Sequence, residues 1–421
     1  MSAEADTGPE KVHIPMHILC ADSLSDHLLA PLREAGHEVV VDADLNADTL
    51  PGYLMENPAE VLVVRSTKVT ADAIAASTAL GLIVRAGAGT DNIDKDAASA
   101  AGVYVSNVPG QNAIAVAELA MALLLATDRH IPAGMADFSA GVWNKKMYST
   151  ADGIYGQTLA ILGLGDIGFA LADRATAFGM SVIALRKPGR STTALARLRS
   201  AGITLVDTLE DLLATADVVS VHVPKSPDTI GMCNAEFFDK MRDGAIFLNT
   251  ARGDVVVEQD LLDAMTRKGI RAGLDVWSDE PSAGAAEWTS ALSTNPNVIG
   301  SHHIGASTRQ AQNAVAAGTV AVIDAYLDGR ITNCVNLVAE PVGSMILTVR
   351  HFDRVGVLAK VFATLRSEGL NIQEMNNQLF TGSVAAVASI YLERSPSEAV
   401  LEAIGSDDDI LAVSVAERAD R

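Results

Sequence analysis

The sequence places the chain in the α/β class: two domains built on parallel sheets, then a small α+β domain at the C-terminus. Three observations carry this. A short aliphatic run at 159–162 leads into Gly163-Leu164-Gly165-Asp166-Ile167-Gly168, then into a helical pattern over 169–178 and a second apolar run at 181–185. Strand, glycine turn, helix and strand thus fall within about 30 residues, the context in which G-x-G-x-x-G signifies dinucleotide binding. Before it, short aliphatic runs alternate with helical stretches, the mark of a parallel sheet. After 343 the rhythm becomes strand, helix, strand, strand, helix, strand, which fits a ferredoxin-like sandwich of about 75 residues.

Each glycine of the fingerprint has a physical task. Gly163 permits the tight turn, Gly165 lets the backbone approach a pyrophosphate, and Gly168 lets helix and strand pack closely. The helix N-terminus then offers free N–H groups and a partial positive charge to the phosphates.

Composition narrows the class of protein. Of the 421 residues 49% are hydrophobic and only 4% aromatic, so the cores are aliphatic, as parallel sheets require. A formal net charge of −21 opposes binding to nucleic acid or anionic membranes, so an anionic substrate must be drawn by local Arg and Lys clusters. Cys20, Cys233 and Cys334 are scattered, with neither metal spacing nor a disulfide framework, which fits a reducing compartment. Residues 1–12 carry Glu4, Asp6 and Glu10 and lack an apolar core, so they are expected to be disordered rather than a signal peptide. The longest apolar stretch, 113–127, is interrupted by Glu118 and too short to span a bilayer; it reads as a buried or dimer-interface helix. The expectation is a soluble cytoplasmic protein.

Taken in order, strands are expected at 16–20, 37–41, 61–64, 82–85 and 103–106, with a helix over 24–35 ended by Gly36. Loops at the carboxyl ends of parallel strands form the binding crevice, and here they carry Arg65, Arg85, Gly87 and Asn107. Helix 113–129 leads to the dinucleotide domain, whose further strands fall at 218–223, 245–249, 270–276 and 298–300. Helices at 209–214, 235–241 and 258–267 separate these strands, and 307–328 is helical throughout. A junction with Pro341 and Gly343 lies at 336–343. Beyond it come strands at 345–350, 371–379, 384–392 and 410–415 and helices at 357–368 and 396–404.

Three polar side chains end three different strands near the fingerprint. Arg252, in Asn249-Thr250-Ala251-Arg252-Gly253, offers a planar fork for a carboxylate and a neighbouring carbonyl. Standing alone it is equally a surface ion pair. Glu280, held ahead of Pro281, is placed to orient a histidine, or is an ordinary loop anion. His303, in Ser301-His302-His303-Ile304-Gly305-Ala306, can hand a proton to a substrate oxygen once a carboxylate holds its imidazole. A lone histidine is more often structural; the three together favour catalysis.

RSTKVT, RAGAGTDNID, SNVPGQN, GVWNKK, GLGDIG, VHVPKSPDT, NTARG, LDVWSDEP and HHIGAST occur in this order. With them the chain, from about residue 60 to 421, resembles the D-isomer-specific 2-hydroxyacid dehydrogenases, and among these the D-3-phosphoglycerate dehydrogenases. The resemblance implies a flavodoxin-like substrate domain at 13–110 and 306–336, a Rossmann-like dinucleotide domain at 111–305, and a regulatory ACT domain at 343–421. It implies a catalytic trio in which Arg252 binds the α-carboxylate and carbonyl oxygen, His303 is the acid/base and Glu280 pairs with His303. His302 stands where the family has Pro, so His303 inherits the role. Arg65, Arg85, Gly87, Asn107 and Lys145 become candidates for substrate recognition, Lys145 across a dimer. Candidate dinucleotide contacts are Gly163, Gly165, Asp166, Ile167, Gly168, Arg186, Lys187, Arg190, Val223, Pro224, Thr250, Ala251, Asp275, Gly305 and Ala306. A homodimer or homotetramer is expected, with neither nucleic acid nor membrane as partner.

The implied reaction is reversible NAD(P)-dependent oxidation of 3-phosphoglycerate to 3-phosphohydroxypyruvate, the first step of serine synthesis. An NADPH-dependent glyoxylate or hydroxypyruvate reductase is the alternative within the class. A non-catalytic dinucleotide sensor, like the corepressor relatives of the fold, is the alternative outside it, and the intact trio argues against that.

Two departures bear on ligands. The strand after the fingerprint usually ends in an acid that accepts from the adenosine ribose. Here Arg186 stands there, followed by Lys187, Arg190 and Ser191, a pocket that by charge favours NADP over NAD; the alternative is NAD with Arg186 stacked on adenine. In the tail, the loop 351–356 resembles an effector site for an amino acid, L-serine foremost, held by His351, Asp353 and Asn371. Asp353 replaces a usual Asn, and Val355 a usual Pro, which leaves the loop less rigid.

Overall fold

A computed structural model describes residues 15–24, 26–281, 285–338 and 343–418; the expectations for 1–12 and Pro341 lie outside them. The chain divides into two compact units, Met1–Asn336 and Leu337–Arg421.

In the first unit, β1 (His17–Cys20), β2 (Glu38–Val41), β3 (Val61–Val64), β4 (Leu82–Arg85) and β5 (Tyr104–Asn107) form a parallel sheet in the order β2-β1-β3-β4-β5. This is the flavodoxin-like doubly wound order. β3, with the sequence VLVV, is buried at every residue, as a central parallel strand must be. Helices α1 (Asp26–Glu34), α2 (Leu50–Glu56), α3 (Ala71–Ala76) and α4 (Lys95–Ala100) make the crossovers. Thr70 and Asp94 start the last two by accepting from Ala73 N and Ala97 N.

The chain then forms α5 (Ala113–Asp128) and α6 (Ile131–Ser139) before entering a second sheet. Its elements are β6 (Thr158–Leu162), α7 (Asp166–Ala177), β7 (Ser181–Leu185), α8 (Thr192–Ser200), β8 (Thr204–Val206), α9 (Leu209–Thr215), β9 (Val218–Val221), α10 (Ala235–Lys240), β10 (Ile246–Asn249), α11 (Glu258–Lys268), β11 (Arg271–Leu274) and β12 (Val298–Gly300). The order β12-β11-β10-β9-β6-β7-β8 is parallel throughout. Winding reverses between β6 and β9, so the crevice of a doubly wound sheet falls beside the glycine turn that follows β6. α5 packs Leu123 and Leu124 into the core with Leu159, Ile161 and Leu248, so it is buried as expected. On the other face Phe237, Phe238 and Phe247 meet edge to face. α12 (Arg309–Leu327) returns to the first sheet, where Val320 and Ile323 pack with Ile18, Val63 and Val84.

The second unit is an antiparallel sheet of β13 (Met345–Phe352), β14 (Ile372–Leu379), β15 (Ala385–Leu392) and β16 (Ile410–Glu417) in the order β14-β15-β13-β16. With α13 (Val357–Ser367) and α14 (Glu398–Gly405) it has the expected ferredoxin-like βαββαβ order. β15 alternates half-buried and buried residues strictly, which puts Ala386, Ala388, Ile390 and Leu392 on the core face. One expectation is corrected here. β13 continues through Phe352, so His351 lies in the strand, not the loop, and is buried. Val349 and His351 share the core face, and that alternation extends the strand. No described helix is long and apolar enough to cross a membrane.

Candidate active site

The site is assembled from loops at the carboxyl ends of both sheets in the first unit. His303 Nδ1 lies 2.7 Å from Glu280 Oε2, and Glu280 Oε1 accepts the Trp277 N–H at 2.8 Å. The imidazole is thus held by a carboxylate that is itself held by backbone, and His303 remains half exposed to a ligand. His303 adopts φ 53°, a left-handed conformation costly for a residue with a Cβ. Asp275 enforces it. This buried carboxylate accepts from Ser301 Oγ at 2.6 Å, Ile304 N at 2.9 Å and Gly305 N at 2.8 Å, while the Asp275 carbonyl takes the His303 N–H at 2.7 Å. Asp275, expected among the dinucleotide contacts, shapes the histidine loop through these bonds.

Arg252 follows β10. Buried Asn249 fixes its loop, accepting from Ala251 N at 3.0 Å and donating to the Arg252 carbonyl at 2.9 Å. Gly253 is obligatory there, because a Cβ would strike the Trp277 carbonyl group. That contact joins the Arg252 loop to the residue whose N–H holds Glu280. The guanidinium donates through Nε to Asp91 Oδ2 and through Nη1 to the Ala251 carbonyl, both at 2.7 Å. Its Nη2 lies over Gly89, where any side chain would displace it.

Arg65 and Arg85 approach the same region from the first sheet. Burial first, then the Arg252 and Arg65 charges, push Arg85 down to about 10, so three guanidiniums share one neighbourhood. Arg85 lies over Gly87, which has φ 145° and no room for a Cβ. Asp22 shapes the Arg65 loop by accepting from the N–H groups of Arg65, Ser66 and Thr67. Asn107 is near at hand, but its Nδ2 donates to the Ala88 carbonyl at 2.6 Å. Lys145 lies exposed beyond α6, and none of these contacts involves it.

The residues around the glycine turn fit a dinucleotide. Gly163 has φ 100° and packs against the His222 carbonyl; Gly168 packs against the Gly163 carbonyl. A Cβ on Gly165 would meet nothing, which leaves open space where phosphates approach. Thr250 Oγ1 and Arg190 Nη1 are buried polar atoms without hydrogen-bond partners among the described residues. Ile167 is the second residue of α7, and Asp166, its first, stands near Gly110 and 3.8 Å from Arg197. A cleft of empty volume ≈ 610 Å³ runs beside the turn, lined by Gly163, Lys187, Arg190 and Val223 among others. Pro224 accepts from Thr229 Oγ1 at its rim, while Gly305 is buried and Ala306 half-buried behind the histidine loop. Arg186 pairs instead with Asp207 at 2.6 Å, and Ser191 caps α8. The thiols of Cys20 and Cys233 are pushed by burial up to about 12, too high for thiolate chemistry.

In the second unit His351 Nε2 lies 3.1 Å from Asn377 Oδ1 and Nδ1 lies 2.7 Å from the Phe352 carbonyl. Both ring nitrogens are therefore engaged within the domain, while Asp353 and Asn371 are exposed. Asp22, Asp91, Asn249 and Asp207 escaped the sequence reading. Only Asn249 and Asp91 lay within motifs singled out there, and nothing local marks their partners.

Two α/β lobes that place a His–Glu pair and an arginine at strand ends beside a glycine fingerprint define a dinucleotide-linked dehydrogenase architecture. Residues 121–305 match the family model described as D-isomer specific 2-hydroxyacid dehydrogenase, NAD binding domain, and the chain belongs to the D-isomer-specific 2-hydroxyacid dehydrogenases. It is 42% identical over 278 residues to a hydroxypyruvate reductase of Thermotoga maritima, covering 66% of this chain and 87% of that protein. It is 38% identical over 336 residues to a D-3-phosphoglycerate dehydrogenase of Methanocaldococcus jannaschii, covering 78% of this chain but only 61% of that protein's length. Among solved structures, the TT0316 protein of Thermus thermophilus aligns with TM-score 0.66 and 33% identity over 76% of this chain and 100% of its own.

Proposed function

We propose that the protein oxidises 3-phosphoglycerate to 3-phosphohydroxypyruvate reversibly, the entry step to L-serine, with a nicotinamide dinucleotide that is NADP rather than NAD. The carrying observation is the convergence of Arg65, Arg85 and Arg252 on one crevice, with Arg85 pushed down to about 10 by burial and by the other two charges. Such a cluster in a chain of net charge −21 suits a substrate bearing both a carboxylate and a phosphate. The basic residues Arg186, Lys187 and Arg190 support the NADP preference.

When bound, the dinucleotide supplies or accepts the hydride at the substrate α-carbon. The chain supplies the rest. Arg252 binds the α-carboxylate and polarises the 2-oxo oxygen. His303 donates a proton to that oxygen in reduction and takes it back in oxidation. Glu280 holds the imidazole by Nδ1, which leaves Nε2 to face the substrate. Arg65 and Arg85 hold the phosphate, with Gly87 and Asn107 shaping their loops and Lys145 added across a dimer. The substrate domain comprises 13–110 and 306–336, and the dinucleotide domain 111–305. The C-terminal unit serves as an ACT-type sensor for L-serine, in which exposed Asp353 and Asn371 carry recognition and His351 supports the strand end. The setting is cytoplasmic and the assembly homo-oligomeric.

The experiment is substrate discrimination by Arg85→Ala and Arg65→Ala. Each should lower kcat/KM for 3-phosphohydroxypyruvate by more than about tenfold and leave hydroxypyruvate within about threefold. Equal losses on both substrates would instead favour the glyoxylate/hydroxypyruvate reductase reading, to which the Thermotoga relative gives weight.

A further inference from the structure

Between Asp275 and Glu280 stands a residue to which the reaction assigns nothing, Trp277. It follows β11 and is buried at 8% exposure, with Leu274 and Leu292 in the core of the second sheet. Each of the three loops that carry Arg252, Glu280 and His303 meets it. Its carbonyl group occupies the space that a Cβ on Gly253 would need, so it abuts the residue after Arg252. Its N–H donates to Glu280 Oε1 at 2.8 Å. Its indole Nε1 donates to the Ser301 carbonyl at 3.0 Å, two residues before His303. The six-membered ring of the indole lies against Gly300, where a Cβ would collide with it. The backbone of Trp277 thus braces two loops while its side chain holds the third.

Two further contacts fix Trp277 itself. Trp288 meets the indole edge to face, with ring centroids 5.0 Å apart. The next residue, Ser278, donates through its N–H and Oγ to Glu258 Oε1 at 3.0 and 2.9 Å, and Glu258 is the first residue of α11.

We infer that Trp277 is a positioning residue of the reaction: the indole sets the spacing between Arg252 and the Glu280–His303 pair. The inference rests on the trio's roles proposed above. A large ring with a single N–H can wedge one loop and hydrogen-bond it at the same time, which no aliphatic side chain does. Proton transfer and carbonyl polarisation act on the same substrate oxygen, so a shift of about 1 Å between His303 and Arg252 costs turnover rather than binding.

The test is steady-state reduction of 3-phosphohydroxypyruvate and of hydroxypyruvate by the full chain, which keeps substrate choice out of the comparison. Trp277→Leu should lower kcat by about tenfold to a hundredfold on whichever acid is turned over, with KM and 5′-ADP affinity within about threefold of wild type. Trp277→Phe, which keeps a ring against Gly300 but has no N–H, should fall between. Once His303 is replaced, the spacing has nothing left to serve, so adding Trp277→Leu to His303→Asn should cost less than about threefold more. If Trp277→Leu melts below the assay temperature, Trp277→Phe takes its place in both comparisons. An unaltered kcat overturns the inference, and so does a loss that multiplies in full on the His303→Asn background, because the indole then supports only the fold. A fully active His303→Asn single variant would instead overturn the trio's roles.

Discussion

Arg252 of the second sheet donates to Asp91 of the first at 2.7 Å, across 161 positions of sequence. Both side chains are partly exposed, at 29% and 37%, so the pair contributes only about 0–1 kcal/mol to stability. Its consequence is orientation. Nε on Asp91, Nη1 on the Ala251 carbonyl and Nη2 over Gly89 together orient the guanidinium. Asp91→Asn should therefore lower kcat by about tenfold to a hundredfold, with KM for the 2-oxo acid within about threefold and the melting temperature unchanged. Steady-state kinetics decide it; an unaltered kcat would reduce Asp91 to a counter-ion.

The proton-transfer assignment separates two adjacent histidines. His303, not His302, faces Glu280 at 2.7 Å. His303→Asn should cost about 10²–10⁴-fold in turnover, and Glu280→Gln a smaller share of the same loss. His302→Asn should stay within about threefold of wild type. The reverse pattern in initial rates would move the acid/base to His302.

The glycine turn makes opposite demands at two positions. Gly163→Ala meets the His222 carbonyl at φ 100°, so it should lower the melting temperature and abolish 5′-ADP binding together. Gly165→Ala meets no protein atom and has φ −88°, so it should leave the melting temperature unchanged while weakening 5′-ADP by more than about tenfold. Normal 5′-ADP affinity in Gly165→Ala would show that the open space is not where phosphate lies.

Acid stability should report His222. Part of the residue reaches the surface, but its ring is enclosed: Nε2 lies 2.8 Å from Ser220 Oγ, and Nδ1 is buried without a partner among the described residues. Burial pushes its pKa down to about 4. The unfolded chain, with a histidine pKa of about 6.5, then binds the proton first, so stability is full above about pH 6.5 and falls between there and pH 4. The contribution is of order 3 kcal/mol, at about 1.4 kcal/mol for each tenfold change in proton affinity. His222→Gln should flatten the melting temperature across that interval. An unchanged slope would mean that other groups carry the acid sensitivity.

Much of this site was legible because local chemistry announced it. Arg252, Glu280 and His303 each end a strand or follow one closely, and the crevice rule brings strand ends together. Their supports were not legible in the same way. The second role of Asp275 was hidden because nothing nearby in sequence shows that Ser301, Ile304 and Gly305 donate to its oxygens. Asp91 and Asp207 act on arginines distant in sequence, which composition and spacing cannot pair. Helices α3 and α4 have six residues each, fewer than two turns, so no hydrophobic period betrays them. α8 lay hidden behind the basic run, which drew attention to charge while Ser191 was serving as a cap. His351 was misplaced because one polar residue inside an alternating strand reads as its end.

The claim that three arginines select a phosphorylated acid is tested most directly by kcat/KM for 3-phosphohydroxypyruvate against hydroxypyruvate and glyoxylate, each with NADPH and NADH. The charge cluster predicts that the phosphorylated acid exceeds both others by more than about tenfold with either cofactor. Hydroxypyruvate or glyoxylate turned over as well or better would contradict it.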